Sequence, residues 1–149
     1  MKTIFDKTVR DELQNRGQLL RNDSRQQWGK MDVVQMMRHC NKWNKWILGQ
    51  GNYTYKQGLL GKIFGRLALN ANTKNDKPMG RNMPAGAFAI KEKGGNLEAE
   101  KAAWAQLIDA YATYKNDGFI HDFFGRMSKE QIGIFVYKHL DHHLRQFNA

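Results

Sequence analysis

The sequence predicts an all-α fold: a four-helix bundle with a long crossover excursion between its second and third helices. Three observations carry this expectation. Apolar residues recur at three- and four-residue steps over four separate stretches. The chain holds only two prolines. No stretch alternates apolar and polar residues over enough positions to read as a half-buried strand. The 149 residues suit one domain, spanning residues 1–149, and are enough to bury a core without staples. A composition 41% hydrophobic and 26% charged excludes a disordered chain.

The first helix is expected over residues 3–20. Ile4, Phe5, Val9, Leu13 and Leu20 recur at helical steps there, and Gly17 weakens its end. Asn22, Asp23 and Ser24 form a turn cluster. Asp32 is a candidate N-cap for a second helix running to about Leu48, stopped by Gly49-Gln50-Gly51. Residues 56–70 read as a helical piece broken by Gly58, Gly61 and Gly65. Residues 71–95 contain both prolines and four glycines and read as a long loop, with Phe88-Ala-Ile90 as a short extended piece. Asn96 caps the third main helix, Leu97 to about Lys115, whose apolar face holds Leu97, Trp104, Leu107, Ile108 and Tyr111. Asn116-Asp117-Gly118 stops it. Phe119–Gly125 is an aromatic-rich connector. Ser128 and Gln131 form a capping box for the last helix, which runs to about Phe147.

The formal net charge of +10 is unevenly spread. Residues 31–95 hold eleven Lys/Arg against three Asp/Glu, an excess of +8, whereas residues 96–149 hold six against seven. Such a field attracts anions in general. No helix-turn-helix, zinc-finger or stacked-aromatic RNA spacing accompanies it, so no nucleic-acid partner is expected. Apolar runs fall far short of the roughly 20 residues of a membrane span, so no membrane contact is expected. A single cysteine, Cys40, excludes an intramolecular disulfide. With no apolar leader visible, the expected compartment is the cytoplasm.

The histidines carry the chemistry. His139, His142 and His143 lie within five residues. A helix advances about 100° per residue, so His139 and His143 face the same way, one turn apart. That spacing lets two imidazoles grip one cation. Ile132, Phe135 and Val136 share their arc, so the pair replaces apolar residues in the core stripe. His39 shares the stripe of Met36, Trp43 and Trp46 in the same way. A lone histidine on an apolar face is usually a satisfied core residue. Here two helices point histidines inward, and bundle metal sites are built by such convergence. Three buried imidazoles without a cation would also leave polar nitrogens to satisfy. The candidate metal ligands are therefore His39, His139 and His143. Helical phase turns Asp141 away and places His142 to one side. Gln35 and Gln146 lie near enough to orient ligands. Cys40 reads as a small buried core residue, and His121 as a capping or surface residue.

Several stretches together resemble a known superfamily. They are Phe123-Phe-Gly-Arg-Met-Ser128, Tyr137-Lys-His-Leu-Asp-His-His-Leu-Arg-Gln-Phe147, Trp28-Gly-Lys-Met31, Met36-Met-Arg-His-Cys40, Leu60-Gly-Lys-Ile-Phe-Gly65 and Asp76-Lys-Pro78. The chain resembles an uncharacterised bacterial branch of the DinB/YfiT-like superfamily over nearly its whole length. The resemblance implies a four-helix bundle that binds a divalent metal through one histidine of the second helix and two of the last. On this sequence these are again His39, His139 and His143. It also implies the chemistry of characterised relatives, which are transferases or isomerases using bacillithiol, mycothiol or glutathione.

Three neutral nitrogen ligands leave a position open on zinc or nickel. The expected function is a metal-dependent enzyme, a transferase acting with a low-molecular-weight thiol or metal-bound water on a small-molecule substrate. The alternatives are a bundle stapled by its metal without catalysis, and an anionic-ligand-binding protein. The absence of a carboxylate on the histidine arcs, Asp32 apart, weakens a hydrolase reading. The 17 aromatic residues exceed what one small core easily hides, and a homodimer is expected.

Overall fold

The computed structural model describes residues 1–83 and 86–149. Among these lie five α-helices: α1 Lys7–Gln18, α2 Val33–Leu48, α3 Leu59–Thr73, α4 Leu97–Ala110 and α5 Lys129–Gln146. Two short antiparallel strands, β1 (Ile120–His121) and β2 (Gly125–Arg126), pair Ile120 with Arg126 and His121 with Gly125. The chain is thus mostly helical with a small two-stranded sheet.

The helix starts follow the capping residues. Asp32 accepts from the Gln35 N–H while the Gln35 side chain bonds back to the Asp32 N–H, a complete capping box. Ser128 and Gln131 make the same reciprocal pair at α5. The Asn96 side chain accepts from the Ala99 N–H at α4. Gly49, at φ 72°, ends α2 in the left-handed conformation that glycine adopts without penalty.

Three expectations need correction. The first helix begins at Lys7, because Ile4 is tied into the core by a bond from its N–H to the Gly133 carbonyl. The piece expected over 56–70 is a full helix, and its glycines do not break it. A Cβ at Gly61 or Gly65 would collide with the Phe123 carbonyl, so these residues let α3 lie directly on the β1–β2 turn. Phe88 belongs to a 3-10 turn, Gly86–Phe88, rather than to an extended piece. Further along the chain, α4 stops at Ala110 and a 3-10 turn over Tyr111–Thr113 completes the expected stretch.

α2 packs most extensively on α4, α1 contacts α4 and α5, and α3 lies against α5 and β2. The core gathers Leu13, Met36, Ile47, Trp104, Ile108, Val136 and Leu140, all nearly inaccessible to solvent. Polar ties fix the helix pairs. The Tyr111 hydroxyl donates to Asn44 Oδ1 at 2.8 Å, and Asn41 Nδ2 donates to the Glu100 carbonyl and carboxylate, both at 2.9 Å. Two lysines act on the carbonyl ends of neighbouring helices, where positive charge is favoured. Lys101 Nζ donates to the carbonyls of Gln18 and Leu20 after α1, and Lys138 Nζ to those of Asn72 and Asn75 at the end of α3. Lys101 thus ties α4 to the end of α1 and Lys138 ties α5 to α3, while α5 also packs on α1 and turns its histidine stripe toward His39 of α2. No helix among the described residues is long and apolar enough to cross a membrane.

Candidate metal centre

His39 on α2 and His139 and His143 on α5 meet in the interior. All three are buried, and one ring nitrogen from each lies within 4.8 Å of the other two. His39 Nε2 stands 3.2 Å from His139 Nε2. The ring centroids are 4.7 Å apart for His139 and His143, and 4.8 Å for His39 and His143. The structure therefore brings together the three residues that the sequence nominated from helical phase.

The surrounding hydrogen bonds fix which nitrogens are free. His39 Nδ1 lies 2.9 Å from the Phe88 carbonyl oxygen. A carbonyl only accepts, so Nδ1 carries the proton and Nε2 keeps a lone pair. The same logic runs through Gln146. Its Nε2 donates to the Trp28 carbonyl at 2.7 Å, which turns Oε1 toward His143 Nδ1, 3.0 Å away. His143 Nδ1 must donate, and its Nε2 keeps a lone pair too. Gly29 makes room for this relay. At φ 79° it adopts a conformation that side chains resist, and a Cβ there would press on Gln146 Nε2.

His139 differs. Its Nε2 faces the His39 lone pair, and its Nδ1 is buried with no partner among the described residues. Trp43 covers the ring, with centroids 4.0 Å apart. Burial holds all three imidazoles neutral at pH 7. It lowers His39; with help from the neighbouring histidines it drives His139 well below its ordinary range; and, together with His39, it pushes His143 down to about 3. Neutral imidazoles are the form that ligates metals.

The remaining candidates fall outside the cluster. Asp141 accepts from Arg16 at 2.8 Å and Arg145 at 2.7 Å, on the side of α5 that meets α1. His142 packs on Trp28 at 5.4 Å. Gln35 caps α2 and donates to the carbonyls of Ile90 and Lys91, so it anchors the loop and not a histidine. The Cys40 thiol is buried beside Met36, and burial raises its pKa, as befits an inert core thiol. His121 is buried, and its Nδ1 accepts from the N–H groups of Phe123 and Phe124, which shapes the β1–β2 turn.

A cleft of about 500 Å³ lies beside His142, and none of the three clustered histidines lines it. Trp28, Met79, Arg81, His142 and Arg145 line it, and the His142 ring lies 5.1 Å from that of His143. The Arg81 guanidinium sits over the Trp28 ring at 4.4 Å.

A family described as "Protein of unknown function (DUF1569)" matches residues 5–149. The chain belongs to that family. No curated protein and no solved structure matches it. All three clustered histidines of this DUF1569 chain fall inside the matched span, as do Trp28, Phe88 and Gln146. The Phe88 carbonyl is the partner that sequence reasoning missed, because a backbone acceptor 49 positions from His39 leaves no side-chain signal.

The geometry separates the triad from its neighbours in a measurable way. His142→Ala should leave metal content per chain at the wild-type value. Asp141→Asn should also leave it there, while lowering stability by about 2 kcal/mol through loss of two charge-assisted bonds. Elemental analysis alongside thermal melts checks both. Metal content as low as that of a triad variant would place either residue among the ligands.

Proposed function

We propose that this chain is a divalent-metal-binding protein of the DinB-like type, holding one cation through His39, His139 and His143 and using it in thiol-dependent chemistry. The observation that carries the reading is the aimed set of lone pairs. Two of three buried imidazoles are fixed by their Nδ1 partners so that Nε2 is unprotonated and turned inward. The shortest nitrogen spacing matches a metal site, and the three nitrogens, all within 4.8 Å of one another, would draw together around the ion. Two nitrogens on a tetrahedral zinc, each at about 2.0–2.1 Å, stand about 3.3 Å apart, against 3.2 Å between His39 Nε2 and His139 Nε2. The donor set is all imidazole, which suits zinc or nickel.

When bound, the cation would supply a Lewis acid with an open position for a thiolate or hydroxide. The chain's own residues would do the rest. Phe88 and Gln146 hold the ring planes. Trp43 screens His139 from solvent. Arg81, above Trp28, gives the cleft beside His142 a cation that would complement the carboxylates of small thiols. The resemblance to the DinB/YfiT-like superfamily, whose characterised members include thiol-dependent transferases, and the excess of +8 over residues 31–95 point the same way.

The test is calorimetric binding of glutathione, cysteine and bacillithiol to zinc- or nickel-loaded and metal-free protein. Tighter binding to the loaded form, at least about tenfold, is expected. Equal affinity in both forms, with metal raising only the melting temperature, would leave the cation a staple of the fold.

A further inference from the structure

α3 presents its small residues to the protein and its large ones to solvent. Gly61, Gly65, Leu69 and Thr73 are buried. Leu59, Leu60, Ile63, Phe64 and Leu67 are 76%, 66%, 64%, 54% and 75% exposed. At about 100° per residue these five occupy one continuous arc. Together they leave on the order of 600 Å² of apolar surface in water, at the upper limit of what monomers expose in one patch.

The charges carried by this segment of the chain have one sign, the acid packed nearest its start being Asp122 of the β1–β2 turn. Arg66, whose guanidinium also donates to the Arg126 carbonyl, and Lys62 lie along one side of the arc, and Lys56 precedes the helix; all three are exposed. No Asp or Glu occurs between Asp32 and Asp76. We propose that this face of α3 is a docking surface for a lipid bilayer bearing anionic headgroups. Leucine, isoleucine and phenylalanine side chains would enter the headgroup–acyl boundary, with the bordering cations at the phosphate level. This is how amphipathic helices lie in the plane of a membrane. Cations near such a surface strengthen binding, and salt screens their contribution. A second copy of the chain fits less well. Paired α3 helices would bring Lys62 and Arg66 of both copies to one seam with no acid from the helix between them, and like charges so placed oppose association. The expectation of no membrane contact, drawn from the lack of a spanning run, does not cover a helix that lies on the surface.

Flotation with vesicles of phosphatidylcholine alone, and with added phosphatidylglycerol, tests this. Wild type should float with the anionic vesicles at low salt, remain unbound to the neutral ones, and be released at high salt. Ile63→Glu and Leu67→Glu, both at exposed positions, should lower the bound fraction at least about tenfold. They should do so with an unchanged circular dichroism spectrum. Lys56→Glu/Lys62→Glu should weaken binding while keeping the apolar arc. Failure to bind anionic vesicles, or equal binding by the Glu variants, overturns the proposal. A dimer in sedimentation velocity that Ile63→Glu splits, with no vesicle binding, would give the face to a second copy instead.

Discussion

His139→Ala is expected to abolish tight binding of one divalent cation per chain. The loss should exceed the roughly 10–100-fold that removal of an outer-shell partner costs, because a donor nitrogen itself disappears. His39→Ala and His143→Ala should behave alike, since each removes one of three mutually close nitrogens. Elemental analysis after dialysis, with zinc or nickel supplied, reads the effect directly. Thermal melts supply a second measure. A cation at a hundred times its dissociation constant stabilises the folded chain by about 2.7 kcal/mol, and that increment should vanish in each variant. Metal-free wild type and metal-free His139→Ala should differ less, because the variant loses contact with Trp43 but also sheds a buried, unpartnered Nδ1. Full occupancy in all three variants would remove the site.

The histidine cluster was legible in the sequence because helical phase is. His139 and His143 sit one turn apart among core residues, and His39 falls on a stripe of methionine and tryptophan. Periodicity alone therefore places the three on inward faces, and the packing of α2 against the rest of the bundle brings them together. The caps at Asp32, Asn96 and Ser128 were legible for a related reason. Each bonds its own helix within three residues, so no tertiary information is needed. α3 was harder. Gly61 and Gly65 weaken a helix by intrinsic preference, and only contact with the Phe123 backbone shows why they are used. Their four-residue spacing was the available signal for close approach. The β1–β2 hairpin has two residues per strand, too few for any alternation to register. The exposed arc of α3 was hidden for the opposite reason: a stripe of Leu, Ile and Phe reads as core wherever it occurs.

Gln146→Leu is expected to weaken metal binding about 10–100-fold while the three ligands stay in place. Gln146 bridges two groups that cannot otherwise meet. Its Nε2 satisfies the Trp28 carbonyl and its Oε1 receives the His143 Nδ1 proton. Leucine keeps the bulk and removes both bonds. His143 is then free to exchange tautomers, and whenever the proton moves to Nε2 the lone pair aimed at the cation is lost. The ring is also free to turn, since its remaining aromatic neighbours are the His39, His139 and His142 rings. Gln146→Glu separates the two roles. A carboxylate still accepts from His143 Nδ1, and more strongly than an amide does, but it cannot donate to Trp28. The Glu variant should therefore hold metal at near wild-type affinity while the Trp28–Gly29 segment loosens, visible as faster amide exchange there. Competition with a chelator measures the affinities. If Gln146→Leu matches wild type within about twofold, His143 does not depend on Gln146 to present its Nε2.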